Sequence, residues 1–159
     1  MIYLGYTTMT HGVKGELKFY STFSLKERIL KKGQIVYING EEHEISAVRP
    51  FKHFYLLELD NLKDINLVED FRNQKVYFKK EESSLAGNEI IPEEMIGFSI
   101  LEKGKVLGKV EEIMYNKVGI LLRVKGLKTF YIPYQKEFIK EISLKDKTIY
   151  TRNGEDLII

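Results

Sequence analysis

The chain has no cysteine among its 159 residues. That excludes disulfides, thiolate nucleophiles and every cysteine-based zinc site. Its three histidines, His11, His43 and His53, have no second histidine three or four residues away. A metal site draws on clustered ligands, so no metal is expected. No Gly-x-Ser-x-Gly elbow is present, which leaves a hydrolase without a nucleophile on its usual turn. "GKVLGK" (104–109) lacks the Gly-Lys-Ser/Thr ending and the helix of a phosphate loop. It reads instead as a hairpin turn, then a glycine where two strands approach closely. No apolar run nears the roughly 20 residues that span a bilayer. The opening "MIYLGYTTMTHG" lacks the basic and apolar regions of a signal peptide. A cytoplasmic protein without membrane association is the expectation, and no cofactor is signalled.

Charge of one sign is also scarce. The net charge is +2, too small to argue for nucleic acid by itself. Residues 1–80 hold 13 Lys and Arg against 10 Asp and Glu, and residues 81–159 hold 12 against 13. The N-terminal half is thus the side that would face phosphate. Tyrosines and phenylalanines number 10 and 9, but alternation points most of them inward, so no basic and aromatic face is expected.

What is present reads as short strands between turn residues. Leu17, Phe19 and Ser21 alternate with Lys18 and Tyr20. "SLKE" (24–27) fits a capping box for a short helix ending before Gly33. "IVYINGEEHEISAV" is a hairpin about Asn39-Gly40. "FYLLEL" and "KVYFKK" are further strands, and "DINLVEDF" places Ile65, Val68 and Phe71 on one helical face behind Asp64. In the second half, "FSILEKGKVLGKVEEIMY", "GILLRV", "TFYIPY" and "KTIY" are strands, while "YQKEFIKEI" allows one or two helical turns through Phe138, Ile139 and Ile142. Strands this short must close on one another. The fold is therefore read as mainly β, two small β-barrel domains with short helices: residues 1–80, a polar linker at 81–92, and residues 93–159.

"MTHGVKGELKFY" (9–20) is the stretch richest in chemistry. Gly12 and Gly15 permit a sharp turn from which Val13 and Lys14 project. His11 and Glu16 flank it, Lys14 is placed to touch phosphate, and His11 serves either to hold the loop or to bind. An enzyme reading would use His11 and Glu16 as acid and base between the barrels.

"HGVKGELKFY", "MIGFSILEKGKVLGKVEEIMYN" and "FYIPYQKEFIKEISLKDKTIY", in this order, resemble the RimM family of ribosome maturation factors. The resemblance covers nearly the whole chain. It implies a translation-factor-like N-terminal barrel followed by a PRC-barrel, and a non-catalytic protein that binds the immature 30S subunit and assists head assembly and 16S rRNA processing. The loop of His11, Gly12, Lys14, Gly15 and Glu16 would face rRNA or the ribosome. The PRC-barrel side would bind a head protein, the nineteenth of the small-subunit series, through Ile90, Ile91, Tyr131 and Pro133. Many family members carry an aromatic pair where this chain has Ile90-Ile91, so two exposed isoleucines are expected as the apolar anchor. The protein would act as a monomer. A PRC-barrel adaptor for another complex is the remaining alternative.

Overall fold

The structure is a computed structural model that describes residues 1–158. It is mainly β and divides into two compact units, Met1–Glu89 and Ile90–Ile159.

In the first unit, strands β1 (Ile2–His11), β2 (Glu16–Tyr20), β3 (Ile35–Ile38), β4 (Glu41–Phe51), β5 (Phe54–Leu59) and β6 (Lys75–Phe78) close into a barrel in the order β1-β2-β5-β4-β3-β6. Closure removes the unpaired edges that strands this short cannot afford. Alternation sends Leu4, Leu17, Phe19, Val36, Ile38, Leu57 and Phe78 into a solvent-free core. The β3–β4 hairpin turns at Asn39 (φ 52°) and Gly40 (φ 78°), the pair of left-handed residues the sequence predicts.

Two local expectations change. The helix α1 spans only Lys26–Ile29, and its N-cap is Leu25, with no side-chain cap bond. The predicted Ser24–Glu27 box is therefore not the cap, because the helix begins one residue late for it. "DINLVEDF" forms two 3-10 turns, Ile65–Leu67 and Glu69–Phe71, rather than one helix. Asp64 still caps the first, accepting from the Asn66 amide at 2.9 Å, and Val68 is buried as predicted.

The polar stretch after β6 is tied to the first unit. Tyr37 donates to the Glu82 carboxylate at 2.6 Å, the Ser84 hydroxyl donates to the Arg28 carbonyl at 3.0 Å, and Leu85 is buried.

The second unit is one six-stranded sheet. Its strands are β7 (Ser99–Glu102), β8 (Lys105–Asn116), β9 (Gly119–Lys125), β10 (Thr129–Pro133), β11 (Ile139–Ser143) and β12 (Thr148–Thr151), in the order β10-β9-β8-β7-β12-β11. Only β12 and β7 run parallel. Ile100, Leu107, Val110, Leu122, Val124, Phe130, Ile132 and Ile149 from five strands share one core, so the sheet curls around it. Gly108 sits at the expected close approach: a Cβ there would lie 2.6 Å from the Lys125 carbonyl oxygen.

"YQKEFIKEI" is not helical. Its second half is strand β11, whose pairing with β12 shifts register between Ile139 and Glu141. That bulge lets Ile139 and Ile142, three residues apart, both pack on the core. A spacing of three within a strand imitates the helical period.

Candidate functional site

The β1–β2 turn brings His11, Gly12, Lys14, Gly15 and Glu16 together. His11 and Glu16 are paired across the strands, Gly12 (φ 67°) and Gly15 (φ 86°) are left-handed, and Val13 and Lys14 project into solvent. The turn is braced from below, because the Ile65 amide donates to the Val13 carbonyl at 3.1 Å. A Cβ at Gly15 would sit 2.2 Å from the Leu62 carbonyl oxygen.

Glu16 is engaged. Arg49 on β4 donates to both its carboxylate oxygens at 3.0 Å. That hydrogen-bonded pair, strengthened by the charge of Arg49, His11 and Lys14, holds the Glu16 pKa below the usual carboxylate value. A general base near neutrality needs the opposite shift and a free lone pair, so this geometry does not build the His11–Glu16 acid–base pair. Since the folded pKa is depressed, the pair's stabilisation is present above the ordinary value of 4.5 and is lost as pH falls through the lower folded value. Denaturant midpoints of the wild type and Glu16→Gln should thus differ slightly at pH 7, and the gap should close as pH falls below the ordinary carboxylate value through the lowered one. A gap unchanged over that fall would contradict the assignment.

Beyond the turn, the outer face of β1, β2, β5 and β4 carries a line of rings that alternation alone did not place there. Tyr6 and Tyr20, partners across β1 and β2, stack at 5.5 Å and 16°. Tyr20 meets Phe54 at 5.2 Å and His53 at 5.8 Å. Phe54 meets Phe51 at 5.6 Å, and Phe51 meets His11 at 4.9 Å. Cations lie over this line: Lys18 is 5.4 Å from the Phe54 centroid, while Arg49 and Lys52 are 5.8 and 5.6 Å from that of Phe51. Most aromatics are shielded, but Tyr6, Tyr20, Phe51 and Phe54 share this outer face with cations, so the expectation of no basic and aromatic face is corrected. The signal was "FKHF" (51–54), a two-residue turn flanked by rings, whose facing depends on cross-strand register.

The three histidines are far apart in role. His11 rests on Phe51, His53 on Tyr20 and Phe54, and His43 Nδ1 shares a hydrogen bond with Asp60 at 2.6 Å. Among the described residues no three His, Cys, Asp or Glu side chains cluster as a metal site would require.

The second unit contradicts one expectation directly. Ile91 has no exposed surface, and Ile90 is half-buried against the core, so the pair is not an exposed anchor. The reason is local. Pro92 opens a 3-10 turn, Pro92–Met95, and Glu94 accepts from the Ile91 amide at 3.3 Å, folding both isoleucines inward. Tyr131 remains 45% exposed and Pro133 half-buried. A surface missed in the sequence is a cleft of about 530 Å³ whose apolar lining of Val106, Leu107, Leu127, Phe130 and Ile158 is flanked by Lys105, Lys128 and Glu155. Leu127 and Val106 are fully and largely exposed at its mouth.

Comparison with known proteins agrees with this two-part architecture. Residues 2–83 match the model of the RimM N-terminal domain, and residues 92–157 match that of the RimM PRC barrel domain. A "Ribosome maturation factor RimM" of Bacillus velezensis is 32% identical, with 98% of this chain and 95% of that one aligned. Proteins of the same name from Bacillus subtilis and Staphylococcus haemolyticus are 31% and 29% identical, with 98% of this chain aligned in each case and 95% and 97% of theirs. With both domain models matched in order, the chain belongs to the RimM family.

Proposed function

We propose that this protein is a ribosome maturation factor that acts by binding the immature small subunit in the cytoplasm, through a head ribosomal protein on its PRC-barrel side and near 16S rRNA on its N-terminal barrel. The observation that carries this reading is the match of both RimM domains across nearly the whole chain. It works without catalysis, favouring one arrangement of head RNA and protein by binding it better than the alternatives, and it leaves once the mature surface no longer fits. Tyr131 and Pro133 belong to the partner-facing side in this reading. Ile90 supports that side by packing against its core.

The test is sucrose-gradient sedimentation of a cell lysate, with every fraction probed for the protein. Enrichment with free small subunits and absence from mature 70S particles is the expected result. Confinement to the soluble top fractions would overturn the proposal. The exposed Lys14 gives a finer check: Lys14→Glu should reduce the particle-bound fraction by about tenfold, as reversing a charge beside phosphate does. Unchanged binding would remove Lys14 from the contact.

A further inference from the structure

We propose that the outer face of β1, β2, β5 and β4 is a single-stranded RNA site in which unpaired bases stack on Tyr6, Tyr20 and His53 while Lys18 and Lys52 hold the phosphates. It deepens the ribosome-binding reading and rests on it for where the RNA comes from, but its chemistry stands on the face itself. A line of touching rings with cations above it is what single strands require: π-faces accept any base, and the cations follow the backbone. Exposure follows the same plan. Tyr6 is 45% exposed and His53 is exposed, while Phe54 beneath them is buried and serves as the floor.

Next to the stacked tyrosines lies a cleft of about 200 Å³, lined by Tyr3, Gly5, Tyr6, Tyr20, Ser21, Thr22 and His53. It has room for one flat ring, and Tyr3, Tyr6 and Tyr20 are among its lining residues. Its exposed lining is mostly apolar and three of its residues are tyrosines, which suits the flat face of a base.

Charge complementarity selects the occupant. Lys18, Arg49 and Lys52 stand over the rings; of the two acids on this face, Glu16 is paired with Arg49, and Glu58 on β5 accepts from the Ser46 hydroxyl at 2.8 Å. Three cations against two acids leave the stripe net positive, with both lysines over the rings. A protein-docking centre is depleted of charge and rimmed by it, whereas here the cations lie over the middle of the aromatic line.

The experiment is fluorescence anisotropy of the full chain titrated into a labelled single-stranded RNA of about ten nucleotides, within the span that single-strand sites cover. A duplex of the same sequence is the comparison. The single strand should bind more tightly than the duplex. Tyr6→Ala combined with His53→Ala, both at exposed positions, should weaken it by about tenfold or more, the loss expected when stacking rings are removed. Lys18→Gln with Lys52→Gln should make the slope of log K against log salt shallower by about 1.4, for two phosphates on a single strand. Circular dichroism on each variant separates a lost site from a lost fold. No binding of the single strand, equal binding of the duplex, or indifference to the ring variants would each overturn the site. If the wild type shows no affinity for the RNA while the ring variants lose their place on ribosomal particles, the face belongs to a protein partner instead. Sedimentation of the wild type with small subunits would survive all of these results, so the failure of this site is distinguishable from the failure of the ribosome-binding reading.

Discussion

Ile91→Asp is expected to lower the thermal unfolding midpoint by about 10 °C or more, whatever it does to partner binding. Ile91 is fully shielded from solvent, so the substitution removes apolar packing and places a carboxylate where no partner is arranged for it. Truncating a buried isoleucine costs about 2–5 kcal/mol, and an uncompensated acid adds to that even after it takes up a proton. At least about 4 kcal/mol is the expected total, and each kcal/mol moves the midpoint of a chain this size by roughly 2–4 °C. Ile91→Val should cost only about 0.5–1.5 kcal/mol, because it removes one methyl group. Ile90→Asp should fall between them, since Ile90 is half-buried. Circular dichroism melts of the three variants supply the check. A wild-type melt for Ile91→Asp would mean that the side chain meets solvent, and the exposed anchor would be restored. If the melt collapses, loss of particle binding by this variant reports unfolding and says nothing of docking.

How legible the fold was can be judged from where the period held. Leu17 and Phe19 facing in, with Lys18 and Tyr20 out, was readable because β2 is regular and half-buried. Asn39-Gly40 was readable because only a left-handed pair closes that hairpin. β8 was still readable as a strand although its core residues Leu107, Val110 and Ile113 fall three apart across register shifts. Legibility failed in β11, where a bulge interrupts pairing and the spacing of three passed for a helix.

The candidate site shows the same limit in another form. The β1–β2 turn was legible because its glycines, lysine and glutamate are contiguous, yet the residue that occupies Glu16 is Arg49, 33 positions away. The ring stripe was illegible for a related reason. "FYLLEL" is apolar on both faces, so its composition does not say that Phe54 and Leu56 turn outward, beneath Phe51 and beside Lys18. Both faces are apolar because long side chains from neighbouring strands cover the outer one. A sequence read in one dimension sees the alternation of a strand but not the strand beside it. Ile90 and Ile91 erred in the opposite direction, since their exposure was carried over from the aromatic pair of the RimM family, whereas here Ile91 is buried and Ile90 half-buried.

The second large effect concerns Glu102, an acid with only 5% of its surface exposed at the end of β7. Its Oε1 accepts from the Thr151 hydroxyl at 2.9 Å and from the Gly154 amide at 2.8 Å, and its Oε2 accepts from the Glu155 amide at 3.1 Å. One side chain thus fastens the chain after β12 and starts the 3-10 turn Glu155–Leu157, whose end carries Ile158 into the wall of the large cleft. Glu102→Leu keeps the bulk and removes all three acceptors, stranding two backbone donors and a hydroxyl. Each buried donor left unmade costs about 1–3 kcal/mol, and the added apolar burial offsets only part of that. The expected loss is therefore about 2–4 kcal/mol, read as a lower denaturant midpoint with the slope retained. Glu102→Gln keeps one carbonyl acceptor and should lose about half as much. Hydrogen exchange localises the cause: the Gly154 and Glu155 amides should lose protection in Glu102→Leu well before the β8–β9 ladder does, because a strap released from its clasp opens locally. Uniform exchange across the second unit would show that Glu102 supports the whole core instead. If the strap alone opens, Ile158 leaves the cleft wall, and the clasp at Glu102 sets the shape of that surface from its far side.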